Sequence, residues 1–192
     1  EDVGLMRMLP HMTVVVPADS EEARKTTLAA AKLGSPVYLR FAREKSPVFT
    51  TPATPFEIGK ANVLRRSDDP QVALIACGPL VHKALLAAEI LEEKGIGSIV
   101  VNNHTIKPMD ENLIRAVAQE VGAVVTIEEH QVMGGMGSAV AELLARELPT
   151  PIEFIGMQDQ FGQSGKPEEL LEHYGMGVSH IVKAAQKVIG RK

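Results

Sequence analysis

Cysteine occurs once in the 192 residues, at Cys77. One thiol excludes a disulfide within the chain and a thiolate zinc cluster, and its place inside an apolar run suits a reducing cytoplasm. Tryptophan is absent, and aromatic residues make up 4% of the chain. There is no basic block either: 20 Lys and Arg stand against 24 Asp and Glu, for a net charge of −4. A slightly acidic chain with few aromatic residues argues against nucleic acid as a partner. No apolar run approaches the ~20 residues that a membrane-spanning helix needs. No repeat, low-complexity tract or signal-peptide pattern is present. The first residues are Glu-Asp rather than Met, so the chain is read as a fragment or a processed product.

What is present is a 45% apolar chain, enough for one medium domain or for a smaller domain and a piece of another. The stretch from Val72 to Asp110 organises it. Six apolar residues, Val72 to Cys77, are closed by Gly78-Pro79, which reads as a strand buried on both faces. Val81, Ala84, Leu85, Ala88 and Leu91 then fall on one helical face, with Lys83, Glu89, Glu92 and Glu93 on the other and Gly95 as the stop. Ile99 to Val101 forms a second apolar strand, so the stretch is a right-handed βαβ unit. Flanking segments must cover the rest of its sheet.

In chain order, Met12–Val16 predicts a strand, a helix over 20–33 is capped by Asp19 with Glu22 at capping-box spacing, and Val37–Phe41 predicts another strand. A turn is possible at 3–9. Residues 44–56 hold three prolines without periodicity and read as a stiff interdomain connection. The units are set at 1–48, which is too small for its own core, and 56–192, with 49–55 as the linker. The second unit adds an edge strand at 58–64, a helix at 110–121 capped by Asp110, a buried strand at 123–127 and a helix capped by Ser138. A strand at 152–155 and a helix at 179–189 complete it. This alternation predicts an α/β fold, an open and mostly parallel sheet with helices on both faces.

Few residues offer chemistry. Arg43 follows a strand by two residues, at the carboxyl rim where open α/β sheets bind ligands, and its fork suits a phosphate. The alternative is a solvated arginine paired with Glu44. Arg40, inside the strand, is read as structural. Glu128, Glu129 and His130 end a strand; alternation lets only Glu128 and His130 converge, for acid–base work or, with better support, loop anchoring or an interface. Gly134, Gly135 and Gly137 stand between a strand and a helix but miss the spacing of a dinucleotide loop, so a tight turn and close packing explain them better. His104 falls in a strand-to-helix connection that Pro108 and Asp110 complete. His11, His82, His173 and His180 have no partners at metal-ligand spacing, and the eight methionines read as packing.

Four segments in order, EDVGLMRMLPHMTVVVPAD, VYLRFAR, HTIKPMD and EEHQVMGGMGSAVAELL, resemble the transketolase family over nearly the whole chain. The resemblance is to the C-terminal subunit of split, two-chain transketolases. It implies that 1–48 is the end of a pyrimidine-binding domain and 56–192 the transketolase C-terminal domain. It further implies transfer of two-carbon ketol units between sugar phosphates, with Arg43 on the substrate phosphate, in a complex with an N-terminal subunit and a homodimer partner. Thiamine diphosphate and Mg²⁺ are implied for the holoenzyme, while the family's activating glutamate, its Thr-His-Gln-like segment and its Gly-Asp-Gly motif are missing here. The expectation is therefore that these residues alone neither bind the cofactor nor turn over. Deoxyxylulose-phosphate synthases, 2-oxoacid dehydrogenase β-subunits and a non-catalytic assembly module are the alternatives.

Overall fold

The run from Val72 to Cys77 divides its side chains between two cores. Val72, Leu74 and Ala76 enter one and Ala73, Ile75 and Cys77 the other, because successive strand residues point to opposite faces. The computed structural model, which describes all 192 residues, begins with α1 (Asp2–Met8), β1 (Thr13–Val15), α2 (Ser20–Ala30) and β2 (Val37–Leu39). After the proline-rich segment come β3 (Asn62–Arg66), β4 (Pro70–Ala76), α3 (Leu80–Glu93), β5 (Gly97–Asn102) and β6 (Thr105–Lys107). The remainder is α4 (Glu111–Val121), β7 (Val124–Gln131), α5 (Met136–Glu147), β8 (Ile152–Met157), α6 (Pro167–His173) and α7 (Val178–Ile189).

The main sheet has the order β3-β5-β4-β7-β8. Four strands are parallel, and β3 runs antiparallel on the edge beside β5. Helices α3 and α7 cover one face; α4 and α5, with Val3 of α1, cover the other. This is the expected open α/β sheet with helices on both faces. Each core is built from Val, Ile, Leu and Ala on facing elements, which is what crossover helices on a parallel sheet require. No helix is long and apolar enough to cross a membrane.

A second, three-stranded sheet has the order β2-β1-β6. Here β1 pairs parallel with β2 and antiparallel with β6, a strand contributed by the second half of the chain. The segment His104–Lys107, expected as a plain connection, thus carries a strand. Local chemistry elsewhere follows the residues. The Asp19 carboxylate accepts from Glu22 N (2.9 Å) and caps α2, while the Glu22 side chain turns back to Ala18 N (2.6 Å). Asp110 caps α4 through Leu113 N. Asp19 also accepts from Phe49 N, Thr50 N and Thr50 Oγ1, and Lys25 donates to the carbonyls of Thr51 and Thr54. The proline-rich segment is therefore fastened along α2.

Further expectations change. The possible turn at 3–9 is the helix α1. Helix α6, with Pro167 in its first turn followed by Glu168 and Glu169, was not expected from the pattern of apolar residues. Finally, Ser138 does not cap α5: the helix starts at Met136, and the Ser138 hydroxyl donates to Val132 O and accepts from Gly134 N.

Candidate functional site

The strand order locates the crevice where a fold of this type takes ligands. From β4 the chain crosses through α3 to β5 on one side, and from β7 it crosses through α5 to β8 on the other. The carboxyl ends of β4 and β7 are therefore the switch point. Cys77, Gly78 and Pro79 line it from β4, Glu128, Glu129 and His130 from β7, and Val3, Val16 and Arg40 roof it.

Alternation along β7 buries Glu128 and His130 and leaves Glu129 on the exposed face. Glu128 accepts from Met136 N (2.7 Å) and Gly137 N (2.8 Å), so its carboxyl group sits on the first turn of α5. Burial pushes its pKa up to about 7, and the two N–H bonds only partly offset that shift. His130 Nδ1 donates to Gln131 O (2.7 Å), and it lies 3.9 Å from Glu128 Oε2. Its Nε2 is buried without a hydrogen-bond partner, 3.8 Å from Asp2 Oδ1, and burial holds the imidazole below its ordinary value.

Asp2 is the hub of the roof. One oxygen accepts from Tyr38 Oη (2.8 Å) and Arg40 Nε (2.9 Å). Burial raises the Asp2 carboxyl, but the Tyr38 bond and the Arg40 charge outweigh it and leave the group below its usual value. Arg40 thus has a structural partner, but β2 ends at Leu39, so Arg40 lies just past the strand rather than inside it and Arg43 follows the strand by four residues rather than two. Arg43, three residues further on, is exposed and makes no hydrogen bond or salt bridge, to Glu44 or to any other carboxylate. Asp2 and Tyr38 carried no signal in the sequence, because the contacts that define them span 36 to 38 residues.

The remaining candidates do not join this cluster. His104 is fully buried, stacks on Phe56 (centroids 4.5 Å apart) and is held down to about 4 by burial. A groove of about 540 Å³ lies between α1, the start of α4 and α5, and most of its charges are paired: Arg7 with Glu142, Arg146 with Glu111, and Lys107 with the carbonyls of Arg7 and Leu9. No three His, Cys, Asp or Glu residues stand together as metal ligands. Cys77 is buried, which raises its thiol well above the ordinary value and leaves it unreactive.

Residues 59–181 match the family model described as transketolase, C-terminal domain. The whole chain is 42% identical to 59% of a 6-deoxy-6-sulfo-D-fructose transketolase subunit of Clostridium sp. (strain MSTE9). It is 36% identical, over 98% of its length, to 60% of an apulose-4-phosphate transketolase subunit of Phocaeicola vulgatus. A solved structure of a split gene transketolase, an inactive beta4 tetramer, superimposes with a TM-score of 0.94 at 44% identity, covering 99% of this chain and 62% of that one. The chain spans about three fifths of the length of these relatives.

Proposed function

Because the chain belongs to the transketolase family, we propose that it is the C-terminal portion of a split transketolase subunit. In that role it helps to transfer two-carbon ketol units between sugar phosphates. Residues 1–48 form part of a pyrimidine-binding domain, 49–55 the linker, and 56–192 the domain that holds the subunit together. Relatives that are themselves transketolase subunits align with the whole chain or nearly so, and this observation carries the proposal. The names of those relatives give two different ketoses, 6-deoxy-6-sulfo-D-fructose and apulose 4-phosphate.

The residues of this chain do not fit thiamine diphosphate. The glycine-rich start of α5 is filled by Glu128, and no carboxylate cluster is placed to hold Mg²⁺. The cofactor site belongs to other polypeptide of the holoenzyme, with an N-terminal subunit and a second copy of this subunit as partners in the cytoplasm. What this chain contributes is Arg43. Arg43 is exposed and has no hydrogen-bond or salt-bridge partner, and its fork can grip a substrate phosphate with two parallel N–H bonds.

The test is reconstitution. The complete subunit containing this chain is combined with the N-terminal subunit, thiamine diphosphate and Mg²⁺. Xylulose 5-phosphate is then offered with ribose 5-phosphate and other aldose phosphates. A two-carbon-extended ketose phosphate is the expected product. An assembled complex that extends none of the acceptors would refute the assignment.

A further inference from the structure

Residues 41–48, which carry Arg43, lie outside every helix and strand and make no hydrogen bond or salt bridge. All but Ser46 are exposed. Nothing inside the segment fixes where the guanidinium stands, and a free chain of that length can reach over ~27 Å. A phosphate grip needs its donors placed far more closely, since a misplacement of about 1 Å already costs catalysis heavily. The position of Arg43 is therefore set from the two ends of the segment, and a carboxylate fastens each of them.

At the near end, Arg40 N donates to Val15 O (3.0 Å) and Arg40 Nε to Asp2 Oδ2 (2.9 Å). Tyr38 Oη donates to the same Asp2 oxygen (2.8 Å), so Asp2 ties the end of β2 to the start of α1. At the far end, Asp19 Oδ2 accepts from Phe49 N (2.9 Å) and Thr50 N (2.7 Å), and its Oδ1 accepts from Thr50 Oγ1 (2.7 Å) and Glu22 N (2.9 Å). Asp19 is 4% exposed, so water hardly competes for these bonds. Phe49 also packs against the core that α3 and α7 cover.

We propose that Asp2 and Asp19 are positioning residues for the substrate phosphate: they fix the two ends of 41–48 and, through them, the place of Arg43. The inference rests on the reading of Arg43 as the phosphate contact and adds the groups that hold that contact in place. Both are anions, so neither grips a phosphate itself; each acts through the chain it fastens.

The experiment uses the reconstituted complex and reads KM and kcat for an aldose phosphate acceptor and for the same sugar without its phosphate. Asp19→Asn separates the two duties of Asp19. Asparagine still caps α2 through its oxygen, while its amide nitrogen replaces the oxygen that Phe49 N and Thr50 N need. Asp2→Ala releases the Arg40 side chain. Each is expected to raise KM for the phosphorylated acceptor by about 3- to 10-fold, with kcat and the unphosphorylated acceptor within about 2-fold. In an Arg43→Ala background neither should change the preference further, because the cation to be placed is gone. If Asp2→Ala does not assemble, Arg40→Met cuts the same tie from the other side and carries the same expectation. An unchanged KM in these variants, beside a selective loss in Arg43→Ala, would overturn the proposal and leave the reading of Arg43 standing. Equal losses for both acceptors would overturn it too, as marks of general damage, and so would a full further loss on top of Arg43→Ala. An Arg43→Ala complex without a selective loss would overturn the phosphate reading and the proposal with it.

Discussion

Neutralising Glu128 permanently should change how stability depends on pH, and the structure fixes the sign. Its carboxyl group is buried and titrates at about 7 in the folded chain, against 4.5 for an ordinary glutamate. A folded value above the unfolded one means that the native state holds the extra proton. The stabilisation is complete below pH 4.5 and is lost as pH rises through 7. The difference between the two values corresponds to about 3.4 kcal/mol in full, of which about 2.5 kcal/mol is lost between pH 5 and 8.5. His130, held low by burial, and His104, held down to about 4, act in the opposite sense: each loses stability as pH falls below its unfolded value of 6.5. Both histidines are present in native and variant chains, so the comparison with Glu128→Gln cancels His104 and reports the carboxyl group together with its coupling to His130, 3.9 Å away. Gln adds a constant offset of about 1–3 kcal/mol, because its amide nitrogen faces a backbone N–H. Urea unfolding followed by circular dichroism, at half-unit steps from pH 5 to 8.5, should show native-minus-variant stability falling by about 2.5 kcal/mol. Parallel curves would refute the reasoning. A native chain that gains on the variant as pH rises would show that the two N–H bonds outweigh burial.

Two further outcomes follow from the same contacts. Replacing Arg43 with Ala in the reconstituted complex should lower kcat/KM by about 10- to 100-fold for phosphorylated acceptors, the loss expected for charge-assisted hydrogen bonds, and by less than about 3-fold for unphosphorylated ones. Equal losses would remove Arg43 from the phosphate role. Asp19→Ala deletes the cap of α2 and three bonds to Phe49 and Thr50. It should cost about 2–4 kcal/mol in urea unfolding and speed proteolytic cleavage within 44–56. Unchanged cleavage would show that Lys25 alone holds the segment.

What the residues disclose in advance depends on the distance over which they act. The Val72–Cys77 strand and the capping of α2 and α4 are legible because each signal lies within a few residues of its effect. Strand β6 is three residues long, and its partner β1 lies some ninety positions earlier, so no local pattern marks it. The start of α5 differs from the sequence expectation for a related reason: Ser138 has the chemistry of a cap, but Glu128, eight residues before Met136, does that work. Helix α6 is different, since Pro167, Glu168 and Glu169 form a readable start that the strand-and-helix pattern passed over. Arg40 is expected inside a strand and stands one residue past the end of β2, where its partner Asp2 lies 38 positions earlier and beyond the reach of local pattern.

The first unit faces two ways, and the contrast bears on the proposal that it belongs to a larger domain. Toward the second unit it is both apolar and specific. Val3, Val14 and Val16 enter the shared core, β1 pairs with β6, Glu22 accepts from Asn102, Arg7 grips Glu142, and Lys107 closes the end of α1. On the other side, Leu5, Met8, Leu9, Leu28, Leu33 and Phe41 stay exposed. The outer edge of β2 has no strand beside it. An unpaired parallel edge exposes backbone N–H and C=O groups, and together with uncovered large aliphatic residues it favours association. Further strands of a pyrimidine-binding domain would cover both at once: they would extend the β2-β1-β6 sheet and leave the hydrogen-bonded seam undisturbed.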